Sequence, residues 1–128
     1  MSTPEFPTLD RGWDRPAEFR LTEERVRPDG RLLAVYGELD IATVPELRER
    51  LDAAVDAGVK RLVLDLSGVA FMDSVAIAAI LHTRTRLGDS GRILVVVREG
   101  SYTRLVFEIA GLPRCLELFE SRAEAVAA

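Results

Sequence analysis

Cysteine and histidine are nearly missing from this chain of 128 residues. One cysteine, Cys115, excludes an internal disulfide framework and a multi-cysteine zinc site. One histidine, His82, leaves no material for a histidine-rich metal site. Positive charge is not in excess. Lys and Arg number 17 against 21 Asp and Glu, a net charge of −4, which argues against a whole-surface nucleic-acid binder. No apolar run approaches the roughly 20 residues that cross a bilayer, so no membrane partner is expected. Residues 1–20 are rich in proline and charge and carry no apolar stretch of the secretory kind, so a cytoplasmic location is expected. Lys60 is the only lysine. The arginines that replace lysine are scattered, which reflects genome composition rather than a binding patch. The G-x-x-x-x-G-K-[ST] and G-x-G-x-x-G phosphate loops are absent, and no cofactor is expected.

What is present is the material of one packed domain: 48% hydrophobic and 30% charged residues in a chain of single-domain length. Residues 1 to about 18 hold Pro4, Pro7 and Pro16, with Phe6 and Trp13, and read as an N-terminal extension. It is either a flexible tail or a segment docked through Trp13 or Phe6, since a free tail gains little from exposing tryptophan. From Phe19 the pattern is regular. Phe19–Val26 and Leu32–Tyr36, joined by the turn Pro28-Asp29-Gly30, predict an antiparallel hairpin. Thr43 and Glu46 have capping-box spacing, with Pro45 in the first turn. Val44, Leu47, Leu51, Ala54 and Val55 form a helical stripe that ends at Gly58. Arg61–Leu66 predicts a strand, Ser67–Asp73 a loop, and about Val75 to Leu87 a helix ending at Gly88. Asp89-Ser90-Gly91 is a turn, and Ile93–Val97 a buried strand. Ser101 caps a short helix that ends near Ala110-Gly111. Leu116–Phe119 is a last short strand, and Ser121 with Glu124 starts a frayed terminal helix. Strands alternating with helices imply parallel crossovers, hence a single α/β domain over 19–126. Its mixed sheet begins as a hairpin and carries about four helices.

No catalytic constellation emerges, and the chain is not expected to be an enzyme. Cys115 reads as a buried structural thiol. His82 lies about 12 Å along the helix axis from Ser74, too far for a dyad. Asp40 and Asp65 sit near strand ends, where carboxylates commonly serve as caps and loop anchors. Asp73-Ser74 heads a helix. Serine there is a favoured N-cap. The same place suits a phosphate, which meets free N–H groups and the positive end of the helix dipole. Such a phosphate adds about −1.5 to −2 charges beside Asp73.

Three segments carry a family resemblance. They are Val35-Tyr36-Gly37-Glu38-Leu39-Asp40, then Val63 to Ser74 ending Phe71-Met72-Asp73-Ser74, then Phe107-Glu108-Ile109-Ala110-Gly111-Leu112. In this order and spacing they resemble a STAS domain of the bacterial anti-sigma factor antagonist type. The resemblance implies an antagonist that binds an anti-sigma factor which is also a serine kinase, releasing a sigma factor by partner switching. It places the phosphorylated serine at Ser74, preceded by the family's aspartate at Asp73; from position at the head of the helix, the surface of Asp40, Asp73, Ser74 and Val75 is expected to dock the kinase. The resemblance also implies a serine phosphatase that restores the binding form, and no direct contact with nucleic acid. The family usually continues with Ser or Thr and then Gly-Leu-Gly, where this chain has Val75-Ala76-Ile77-Ala78. That departure favours an alternative: a STAS adaptor or scaffold without a phospho-switch, in a signalling or transport complex.

Overall fold

A computed structural model describes residues 18–128; the expected extension with Phe6 and Trp13 lies outside the described residues. The chain runs β1 (Arg20–Arg25), β2 (Gly30–Leu39), α1 (Val44–Asp56), β3 (Arg61–Met72) and α2 (Ser74–Leu87). It continues through β4 (Arg92–Val96), α3 (Tyr102–Ile109), a 3-10 turn (Leu112–Arg114), β5 (Glu117–Phe119) and α4 (Arg122–Ala127). The strands lie in chain order in one sheet; β1 and β2 pair antiparallel and every later pair is parallel. This is the expected α/β domain with a hairpin at the start of a mixed sheet, four helices and β3 at its centre.

Strand alternation divides the apolar residues between two faces. Leu33, Val35, Leu62, Leu64, Leu66, Ile93, Val95 and Val97 turn to one side, where α1, α2 and α3 add Leu47, Leu51, Ile80 and Phe107. A sheet in chain order with right-handed crossovers puts those three helices on the same side. Leu32, Ala34, Val63, Leu94 and Val96 turn to the other side and meet Ala125 and Val126 of α4. The apolar runs of β2, β3 and β4 are continuous because both faces are covered. No helix among the described residues is long and apolar enough to cross a membrane.

The structure corrects four local expectations. Residues 67–72 continue β3 rather than forming a loop. Two register shifts against β2, between Ala34 and Tyr36 and between Gly37 and Glu38, put extra residues into β3. Bulges of this kind bend and twist a strand without ending it. The Asp65 carboxylate accepts from the Ser67 N–H at 2.9 Å and from its hydroxyl at 2.6 Å, serving a donor beside the first shift. Gly68 permits the close approach of Tyr36, whose Cδ1 would lie 2.5 Å from an added Cβ.

The capping box of α1 does not form. Thr43 is already near helical geometry, at φ −103° and ψ −24°, so its hydroxyl cannot reach forward along the helix. It donates instead to the Glu38 carbonyl at 2.7 Å. The terminal helix is not frayed: Ala125 is fully buried against the sheet, and Ser121 caps the Glu124 N–H at 3.1 Å. Cys115 is exposed rather than a buried thiol, because the 3-10 turn buries its neighbours Leu112 and Leu116 and points Cys115 outward.

Candidate functional site

The parallel strands β2 and β3 end side by side, with Leu39 paired to Met72. The next residue on each strand is an aspartate, so Asp40 and Asp73 stand at the same C-terminal edge of the sheet. A backbone hydrogen bond from the Asp73 N–H to the Leu39 carbonyl, 3.1 Å, ties the two connections together.

Each aspartate organises its own turn. The Asp40 Oδ1 accepts from the N–H groups of Ala42, at 2.9 Å, and Thr43, at 3.1 Å. It takes the anchoring role that spacing had suggested for Thr43 and Glu46. The Asp73 Oδ1 accepts from the Val75 N–H at 3.0 Å, and its extended backbone, φ −114° and ψ −175°, makes it the N-cap of α2. Serine is therefore not the cap. Ser74 is the first residue inside the helix, exposed, and its hydroxyl has no hydrogen-bond partner among the described residues. Aspartate outcompetes serine here because β3 delivers residue 73, not 74, in the extended geometry a cap requires.

The residues after Ser74 divide by helical geometry. Ala76 is fully buried and its methyl is core, whereas Ala78 is exposed. Val75 and Ile77 are half-buried and pack against the main core. Of the two alanines that stand where the family has glycine, only Ala78 changes the surface beside Ser74.

Asp65 belongs elsewhere. It is 4% exposed, on the α4 side of β3, and its Oδ2 receives Arg122 Nε at 2.9 Å and Nη2 at 2.8 Å. The hydrogen bond to Asp65, then the one to Tyr36, raises the Arg122 guanidinium above its ordinary pKa. Asp40 and Asp65 do not form a pair. His82 is exposed on α2. Among the described residues, no group of three His, Cys, Asp or Glu is placed to hold a metal ion.

Sequence patterning missed one surface feature near this edge. Phe71, the second-last residue of β3, stacks on Tyr102 of α3 with ring centroids 6.0 Å apart. Leu105 and Ile109 continue the exposed apolar line on α3. The signal was available: residues 102–109 hold more apolar side chains than the one face that Thr103 and Phe107 bury.

Comparison with known proteins agrees with this architecture. The STAS domain family model matches residues 22–125. The anti-sigma-F factor antagonist RsfB of Mycobacterium tuberculosis is 34% identical over 95 residues, covering 74% of this chain and 77% of the relative. An anti-sigma-B factor antagonist of Staphylococcus aureus is 31% identical over 86 residues, covering 67% and 80%. Among solved structures, an anti-sigma factor antagonist from Mycobacterium paratuberculosis superimposes with a TM-score of 0.78 at 27% identity, covering 86% of this chain and 92% of that one. Unphosphorylated SpoIIAA, at 23% identity, shares the fold with a TM-score of 0.71 over 84% of this chain and 93% of that one. With the bulged β3, the aspartate-capped α2 and a family match over nearly all the described residues, this chain belongs to the STAS domain family.

Proposed function

We propose that this protein is an anti-sigma factor antagonist whose binding to an anti-sigma factor with serine kinase activity is switched by phosphorylation of Ser74. The observation that carries this reading is the division of labour at the start of α2. Asp73 satisfies the helix cap, so the Ser74 hydroxyl is exposed and free to be modified without costing the helix its cap. A phosphate there meets the positive end of the helix dipole, worth about 0.3–1 kcal/mol, so it changes surface charge without unfolding α2. Asp40, Asp73, Ser74 and Val75 form the docking edge. The relatives named as antagonists of anti-sigma factors support a binding role rather than catalysis. A serine phosphatase reverses the modification, and the cycle takes place in the cytoplasm with no direct contact to DNA.

The test is incubation with the cognate anti-sigma kinase and ATP, followed by intact mass and peptide mapping. One phosphate on Ser74, lost in Ser74→Ala, is the expected result. Ser74→Ala binds the kinase constitutively and Ser74→Asp binds it weakly. An unchanged mass, or label on Ser67 or Ser101, removes the switch. The adaptor reading, which exposed Ala78 and half-buried Val75 favour, then takes its place.

A further inference from the structure

Among the described residues, the exposed large hydrophobic side chains are Ile41, Phe71, Tyr102, Leu105 and Ile109. All five lie at the C-terminal edge of the sheet or on the helix that starts there. Apolar residues scattered singly over a surface need no explanation, but five gathered at one edge mark a contact surface.

They form two wings with Ser74 between them. The strand order sets this arrangement: Ile41 follows β2, Ser74 follows β3 and Tyr102 follows β4. Ile41 is 78% exposed and comes directly after Asp40. On the other side, Phe71 stands three residues before Ser74, at most about 10 Å of chain. It stacks on Tyr102. The Thr103 hydroxyl donates to the Val69 carbonyl at 3.3 Å and holds α3 against β3. Tyr102, Leu105 and Ile109 recur at i, i+3 and i+7, opposite the buried Thr103 and Phe107. They carry the second wing about 10 Å along α3.

Size and charge say what fits. A standard interface buries about 800 Å² per partner, a little over half of it apolar. The two wings expose several hundred Å² of apolar surface, which matches that share. The Asp40 and Asp73 carboxylates lie between the wings. Glu108 flanks the second wing, where Arg104 is held by Glu108 and Glu120. A second copy of the chain would set these aspartates against their own equivalents across a two-fold axis, a like-charge contact that costs several kcal/mol. A partner with an apolar surface and a basic rim meets no such penalty.

We propose that the anti-sigma partner docks across both wings at once, with Ile41 on one side of Ser74 and the Phe71–Tyr102–Leu105–Ile109 line on the other as its apolar anchors. This inference rests on the antagonist reading but not on phosphorylation of Ser74. The anchors supply the affinity, and Ser74 lies where the contact closes over it.

The test is calorimetric titration of the full-length protein with the cognate anti-sigma factor, with ADP in place of ATP so that no phosphate reaches Ser74. Leu105→Ala combined with Ile109→Ala weakens binding tenfold or more, and Ile41→Ala weakens it several-fold. Asp89→Ala, in the turn at the opposite edge of the sheet, leaves it unchanged. Alanine suits a helix and the replaced side chains are exposed, so far-UV circular dichroism is the same in every variant. Wild-type protein that does not bind removes the antagonist reading and this inference with it. Wild-type binding that the variants of either wing leave within twofold keeps that reading and overturns this inference alone. So does a wild-type dimer in sedimentation that the α3 variant converts to monomer with its affinity for the anti-sigma factor intact, which gives the face to a second copy.

Discussion

The two faces of the sheet are closed by different means. On the α1–α2–α3 side, large aliphatic residues and Phe107 interlock, and ion pairs such as Arg86 with Asp52 and Asp56 lie at the rim. On the other side a helix of six residues covers five apolar side chains. A helix that short has little stability alone. It is held at both ends by β3 residues of one face. Asp65 grips Arg122 at its start, and Arg61 Nη2 donates to the Ala125 and Val126 carbonyls near its end, at 3.3 and 3.2 Å. Arg27 also donates, to the Val126 and Ala127 carbonyls, where cations suit the negative end of the helix dipole. Burial, followed by the neighbouring charges of Arg27 and Arg92, lowers the Arg61 pKa. The lesson is that the first face is fastened by apolar bulk and the second by ionic hooks over a thin apolar contact.

That contrast breaks first at Phe107. Phe107→Ala empties the fully buried core position of α3 and costs about 3–5 kcal/mol in urea unfolding; a loss under 1 kcal/mol would show that the helical face is not closed by bulk. Next comes the ionic hook. Arg122→Met leaves the Asp65 carboxylate buried without its cation and costs about 1–3 kcal/mol, toward the low end because Arg122 is partly exposed. Native-state hydrogen exchange sharpens the comparison: amides of α4 exchange faster in this variant while those of Leu62–Leu64 keep their protection. Equal acceleration in both places means the two faces do not open separately.

Smaller effects separate Asp73 from its neighbour. Asp73→Ala removes the cap of α2 and costs about 1 kcal/mol. Ser74→Ala leaves the unfolding midpoint unchanged within about 0.5 kcal/mol, as expected for an exposed side chain with no partner. A Ser74→Ala loss equal to that of Asp73→Ala places the cap on serine instead. The smallest loss is at the rim. Arg92 hydrogen-bonds Glu117 and holds its carboxyl below the ordinary glutamate value. Because the folded value is the lower one, this pair stabilises the fold above the ordinary glutamate value, and the contribution fades as pH falls through the lowered one. The pair is largely exposed, so Glu117→Gln removes about 0.2–0.5 kcal/mol at neutral pH and nothing at strongly acid pH. A pH-independent loss points to packing rather than charge.

Much of this architecture is legible in the residues. The apolar runs Leu62–Leu66 and Ile93–Val97, the hairpin turn at Pro28-Asp29-Gly30, the stripe of α1 and the cap at Ser101 each depend on neighbours within a few positions. The Asp40 and Asp73 pair was legible as two points on the chain, and β2–β3 pairing explains why they share an edge. The bulged end of β3 was not legible. Ser67-Gly68 has the composition of a loop, and it stays in the sheet because Tyr36, more than 30 positions upstream, needs the space that Gly68 leaves.

Local sequence determined where helices and strands lie, which strand runs are apolar on both sides, and that a hydroxyl follows an aspartate at the head of α2. Those features follow from spacing and backbone preference over one or two turns of chain. Tertiary structure decided the rest. It made Asp73 rather than Ser74 the cap, because β3 sets the backbone angles at that junction. It turned Asp65 from a strand-end anchor into the grip on α4, because only packing brings residue 122 beside residue 65. It left one side of α3 uncovered, because burial is settled by what lies opposite, and no short stretch of sequence contains its own neighbours across the fold.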